Sequence, residues 1–126
     1  MGVTYDAGAL VAADRNDRRM WALHAGFLAE EVTPVVPAPV LAQVWRGSAR
    51  QASLVRFLAM CETEALDEDL ARHVGVLAAA SGHGDVVDLA LVEGAIRRDD
   101  AVVTSDAGDI RRIADSVGVR MLIEPV

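Results

Sequence analysis

Two hydrophobic periods alternate along the chain. Val3-Thr4-Tyr5 is short and β-prone, and Asp6-Ala7-Gly8 breaks it before a helical run from Ala9 to Asp14. A polar loop from Asp14 to Arg18 follows, after which Met20, Trp21, Leu23, His24, Phe27 and Leu28 recur at helical spacing up to Glu31. Thr33-Pro34-Val35-Val36-Pro37 is held extended by its prolines and β-branched residues. Pro39 suits the first turn of a helix running to about Arg46, with Gly47 ending it. The segment Arg50 to Met60 repeats apolar residues at Leu54, Val55, Leu58 and Ala59 and predicts a helix; Thr63 to Leu66 predicts a brief strand. Asp67 is a good N-cap for a helix through Ala80. Ser81-Gly82-His83-Gly84 predicts a turn, Asp85 to Arg98 an apolar helix, Ala101 to Thr104 a buried strand, Asp106 to Val117 a helix, and Val119 to Ile123 a last strand.

Five short strands separated by helices predict an α/β protein with a central parallel sheet between two helical layers. A length of 126 residues suits one domain spanning residues 1–126. Hydrophobic residues make up 52% of the chain and aromatics 4%, so the interior must be built mainly from Ala, Val, Leu and Ile. The apolar runs from Leu10 to Ala13 and Val86 to Val92 stop well short of the roughly 18 residues a spanning helix needs, and no basic stretch followed by an apolar core opens the chain. A soluble, cytoplasmic protein is expected. Cys61 is the single cysteine, which rules out an internal disulfide and a multi-cysteine zinc site and suits a small buried hydrophobe.

In an open parallel sheet, residues just past the strands' C-terminal ends share one crevice. Asp6 follows the first strand. Asp106 follows Ala101-Val102-Val103-Thr104, and Asp109 lies three residues on, on the same side of a helix. Asp85 and Asp88 repeat that spacing at the start of another helix, where the N-terminus favours ionised carboxylates. Each pair alone resembles ordinary helix capping. Three remote segments supplying acids to one crevice point instead to a cation, because uncompensated carboxylates repel. Hard oxygen donors favour Mg²⁺ or Mn²⁺, which can polarise a phosphodiester and activate water.

The net charge of −7 is unlike that of a general nucleic-acid binder. All twelve basic residues are arginine, however, the better fork for phosphate.

The motifs Asp6-Ala7-Gly8-Ala9-Leu10, Pro39-Val40-Leu41-Ala42-Gln43-Val44, Asp88-Leu89-Ala90-Leu91-Val92 and Val103-Thr104-Ser105-Asp106-Ala107-Gly108-Asp109-Ile110 together resemble, in order and spacing, those of PIN-domain ribonucleases of the VapC type. The resemblance runs the whole length of the chain and implies a PIN-like fold and endonucleolytic cleavage of RNA by metal-activated water. It also implies Asp6, Asp88, Asp106 and Asp109 as catalytic acids, with Asp6, Asp88 and Asp106 on the metal. Thr104 or Ser105 would support an aspartate, and Asp85 would add charge beside Asp88. Gln43 stands where the family carries a glutamate; an amide brings no charge, so weaker ion affinity is expected. Arg15, Arg18, Arg46 and Arg50 are candidates for holding the RNA backbone. Two bound divalent ions would bring the net charge from −7 to about −3. A homodimer and a neutralising antitoxin are the implied partners, and the stripe Trp21, Leu23, Phe27 with Trp45 is a candidate antitoxin groove. His24, His73 and His83 lack the spacing of a metal site, although His83 stands close to Asp85.

Gln43 also motivates a different reading, a PIN fold that binds RNA or antitoxin without cutting. A phosphate-receiver or aspartate-nucleophile phosphatase is disfavoured because those families use an essential lysine and this chain has none, and because Gly8 stands where a second aspartate would follow Asp6.

Overall fold

A computed structural model describes residues 1–126. The elements run β1 (Val3–Tyr5), α1 (Ala7–Asp14), α2 (Arg18–Ala29), β2 (Val35–Pro37), α3 (Ala38–Val44), a 3₁₀ turn (Ala49–Gln51), α4 (Ala52–Leu58), β3 (Glu62–Glu64), α5 (Glu68–Ser81), α6 (Val86–Arg98), β4 (Ala101–Thr104), α7 (Ala107–Ser116) and β5 (Ile123–Pro125). The five strands form one fully parallel sheet in the order β3-β2-β1-β4-β5, the sheet the alternation of strand and helix predicts. The sheet lies between two helical layers in a three-layer α/β/α arrangement.

The connections from β1 to β2 and on to β3 step one way along the sheet, whereas the connection from β3 to β4 jumps past β1 and β5 continues outward. With right-handed crossovers this reversal sends the two sets of helices to opposite faces. Accordingly α1 packs against α2, α3 and α4, while α6 packs against α5, α7, β1 and β2. The strand order reverses between β1 and β4, and the crevice beyond their C-terminal ends is the topological switch point of the sheet.

Strand alternation decides what each face receives. Tyr5 is fully buried against the α2–α4 side, where Phe57 stacks on it at 5.3 Å and its hydroxyl meets His24 Nδ1 at 2.9 Å. Burial pushes Tyr5 far above its ordinary pKa and lowers that of His24, so this is a bond between neutral groups. Thr4, on the other face, donates to Asp100 at 2.7 Å and accepts from Arg98 at 3.0 Å. Arg98 also pairs with Asp100 and Glu64, so its guanidinium is compensated on both sides although half-buried. Cys61 donates to the Phe57 carbonyl, and burial pushes its thiol up to about 12, in keeping with an unreactive half-buried residue.

Several boundaries differ from the periodicity. Helix α1 begins at Ala7 rather than Ala9, because Asp6 caps it by accepting the Ala7 N–H at 2.7 Å. Helix α2 starts at Arg18 rather than Met20, capped by Asp17. Between Arg50 and Met60 a 3₁₀ turn precedes a shorter α4. Strand β3 begins one residue earlier and ends two residues earlier than expected, its start set by the pairing of Val35 with Glu62. The last strand is the largest displacement: Val119 to Leu122 is not strand, and β5 is Ile123–Pro125. The Val119 N–H is taken by Ala114 at the end of α7, so the chain is still leaving the helix there and pairs with β4 only from Ile123. No single helix is long and apolar enough to cross a membrane.

Candidate metal centre

Four aspartates reach the switch point from three elements. Asp6 is buried at 6% exposure, with both carboxylate oxygens engaged. Its Oδ1 accepts the Ala7 N–H, and its Oδ2 accepts the Thr104 hydroxyl at 2.6 Å. Thr104 ends β4 with no exposed surface, and the same hydroxyl oxygen accepts the Asp106 N–H at 2.9 Å. One threonine thereby ties the ends of β1 and β4 to the entry of α7.

Asp106 occupies the N-cap position of α7, yet its side chain makes no capping hydrogen bond. Asp17, Asp67 and Asp85 all cap their helices in the ordinary way, so Asp106 departs from the local pattern. Its carboxylate instead joins those of Asp88 and Asp109, with one oxygen of each within 4.8 Å of the others. Asp109 also pairs with the exposed Arg112. Asp88 lies in the first turn of α6, and burial raises its pKa, reinforced by the charge of Asp85 and then of Asp6 and Asp106; the hydrogen bond from His83 opposes the rise.

This donor set suits a hard divalent cation. An octahedral ion with ligands at about 2.1 Å holds its oxygens roughly 3 to 4.2 Å apart, a separation compatible with carboxylate oxygens that all lie within 4.8 Å of one another. Carboxylates without a nearby thiol or imidazole cluster favour Mg²⁺ or Mn²⁺ over zinc.

The remaining candidates are placed as follows. Asp6 is not in the tight triad, but its charge acts on Asp88. Asp109, which the resemblance assigns to the acidic pocket and not to the metal, is in the triad. Asp85 is exposed, and its Oδ1 is occupied by the Val87 and Asp88 N–H groups. Thr104, not Ser105, makes the hydrogen bond to an aspartate; Ser105 is exposed and packs against Gly8. Gln43 is exposed on α3, and its backbone carbonyl accepts from Arg46. Arg46 folds back on α3, donating to the Ala42, Gln43 and Trp45 carbonyls, which is a helix C-terminal role. Arg15 and Asp17 line an open cleft of about 540 Å³ that runs along α1 to Ala7, Gly8 and Ser105, the sequence neighbours of Asp6 and Asp106, and none of the four aspartates lines it. Arg18 and Arg50 are exposed at the starts of α2 and of the 3₁₀ turn.

Trp21, Leu23 and Phe27 pack against the core, and the Trp21 indole donates to the Ala13 carbonyl. Trp45 is 43% exposed and lines a separate apolar hollow with Leu41 and Leu58. His83 was legible only as a neighbour of Asp85; its ring reaches Asp88 instead, Nε2 to Oδ2 at 3.3 Å.

Among solved structures, the chain resembles VapBC2 from Rickettsia felis bound to a DNA fragment from its promoter, with a TM-score of 0.75 and 19% identity over 100% of this chain and 99% of that one. It also resembles FitAB bound to an IR36 DNA fragment, with a TM-score of 0.67 and 13% identity over 98% of this chain and 94% of that one. The fold is PIN-like. No family model matches the sequence, and no curated protein does. At these identities the likeness concerns the PIN-like fold alone, so the chemistry has to be argued from the aspartates.

Proposed function

We propose that the protein is a metal-dependent endoribonuclease, the toxin half of a VapBC-like toxin–antitoxin pair. The observation that carries this reading is the convergence of Asp88, Asp106 and Asp109, with Asp6 near enough for its charge to act on Asp88, at the switch point of a PIN-like sheet. Asp88 and Asp106 are the principal ligands, joined by Asp109. Asp6 adds negative charge from a position fixed by Thr104 and by the start of α1. When bound, Mg²⁺ or Mn²⁺ polarises the phosphodiester and supplies activated water near neutral pH. Asp88 would orient that water for in-line attack on phosphorus while Asp6 contributes charge from behind its two hydrogen bonds; the P–O3′ bond would break, leaving a 5′-phosphate on one product and a 3′-hydroxyl on the other. Arg15 lines the cleft that runs along α1 toward Ala7 and Gly8 and holds an RNA phosphate away from the reacting one. The two similar structures are complexes named as pairs, VapBC2 and FitAB, each on DNA. By analogy this chain acts within such a pair, as a homodimer neutralised by an antitoxin.

The test is cleavage of structured RNA in Mg²⁺ or Mn²⁺ by the wild type, Asp6→Ala and Asp88→Ala. Cleavage by the wild type and loss to background in both variants is expected. Equal activity in all three would remove the site.

A second reading, a PIN-like fold that binds RNA or antitoxin without cutting, is favoured by two observations. Gln43 is uncharged, and Arg112 neutralises part of Asp109. It predicts RNA binding with no cleavage by any of the three proteins.

A further inference from the structure

We propose that His83 is the positioning residue for Asp88, fixing one oxygen of that carboxylate so that the other faces the cation. The inference rests on the metal-centre reading above and adds to it a residue that no aspartate motif contains.

The geometry has three parts. First, His83 Nε2 lies 3.3 Å from Asp88 Oδ2, and because an ionised carboxylate only accepts, the ring nitrogen is the donor. Second, the backbone that carries the ring is tied down at its start. Helix α5 ends at Gly82 in the left-handed region, φ +69°, whose N–H closes on the Ala78 carbonyl; the His83 N–H then donates to Ser81 Oγ at 3.2 Å. Asp85 caps α6 two residues later, so only His83 and Gly84 separate the caps of the two helices. Third, both side chains are largely shielded, at 23% exposure for His83 and 16% for Asp88, so water competes poorly for this bond.

Asp88 is otherwise surrounded by acceptors. Asp85 spends its Oδ1 on the start of α6, while Asp6 and Asp106 contribute only negative charge. Without His83 the Asp88 carboxylate has no side-chain donor to oppose rotation away from its neighbours. Hydrogen-bonding partners of metal ligands typically hold ten- to a hundred-fold in affinity, a range of about 10–100.

The experiment is calorimetric titration of the full chain with Mn²⁺ alone, for the wild type, Asp88→Ala, His83→Ala, His83→Leu and His83→Gln, each checked for folding by its thermal melt. The glutamine amide retains a donor; alanine and leucine do not. The expected result is Mn²⁺ binding weakened about 10- to 100-fold in His83→Ala and His83→Leu, with substantial recovery in His83→Gln. Should alanine fail to fold, leucine, which fills the space, carries the comparison. The inference is overturned if folded His83→Ala or His83→Leu binds like the wild type while Asp88→Ala does not bind, or if glutamine is as weak as the donorless variants. Absence of Mn²⁺ binding by the wild type would overturn the metal-centre reading itself, and this inference with it.

Discussion

The Thr104 hydroxyl donates to Asp6 Oδ2 at 2.6 Å and links the C-terminal ends of β1 and β4, adjacent strands, across 98 residues of sequence. Its oxygen also accepts the Asp106 N–H, so the link reaches the residue that opens α7. A buried carboxylate held this way has one place to be, and the cost of its burial is offset by two hydrogen bonds rather than by a positive side chain.

Thr104→Val keeps the shape and removes the hydroxyl. It is expected to destabilise the fold by about 2 kcal/mol, the range for losing a hydrogen bond to a buried charged group. Thr104→Ser should restore most of this loss. Urea denaturation monitored by circular dichroism measures both, and a valine variant as stable as the wild type would mean that the bond contributes nothing to the fold.

Gly8 allows α1 to approach the turn after β4. A Cβ at this position would lie 2.3 Å from Ser105 Oγ and 2.8 Å from its backbone nitrogen, and the backbone contact cannot be relieved by rotating a side chain. Gly8→Ala should therefore lower stability by about 1–3 kcal/mol, the usual cost of overpacking. Adding Ser105→Gly removes the nearest atoms but not the nitrogen, so only part of the loss should return. A thermal melt of the alanine variant matching the wild type would show that the turn yields freely.

Periodicity and capping residues carried most of this architecture. Val3–Tyr5 and Ala101–Thr104 form strands with the bounds that their β-prone residues suggest, and Asp67 and Asp85 start helices as short polar side chains do. The aspartates at the sheet edge were legible because parallel topology makes strand ends neighbours whatever their separation. What could not be read was where each side chain turns. Asp85 and Asp106 look alike in sequence, yet one caps its helix and the other leaves its cap unmade to join the triad. Arg46 looks like a free cation until its fork is seen on three carbonyls at the end of α3. The last strand slipped because Val119 to Ile123 is as β-prone as its neighbours, while its start was set by the end of α7 and by pairing to β4, neither of which is local.

Glu64 should make stability depend on pH. Burial alone would raise its pKa, but hydrogen bonds and charge from Arg97 and Arg98 outweigh this and hold it below the ordinary carboxylate range. A depressed native-state pKa means that the unfolded chain takes up the proton first as pH falls. Its contribution is thus complete above the ordinary value of about 4.5 and fades as pH drops through the native value. Glu64→Gln should be less stable than the wild type at pH 7, with the difference shrinking toward pH 3. A difference in melting temperature independent of pH across that span would rule out the ion cluster as its source.

Gln43 is the one place where the expected acidic pattern is broken, and its exposed position on α3 leaves room for a longer or charged side chain. Helix α3 packs against both α1, which Asp6 caps, and α6, which carries Asp88, so position 43 lies on a helix that neighbours the candidate centre. Gln43→Glu adds a formal negative charge without changing side-chain length, and a divalent ion nearby would be held more tightly by simple Coulomb attraction. Calorimetric titration with Mn²⁺ is expected to give a several-fold lower dissociation constant for the glutamate variant at low salt, with the gain diminishing as ionic strength rises. An unchanged dissociation constant would place position 43 outside the ion's surroundings, and the departure from the family pattern would then have no bearing on metal affinity.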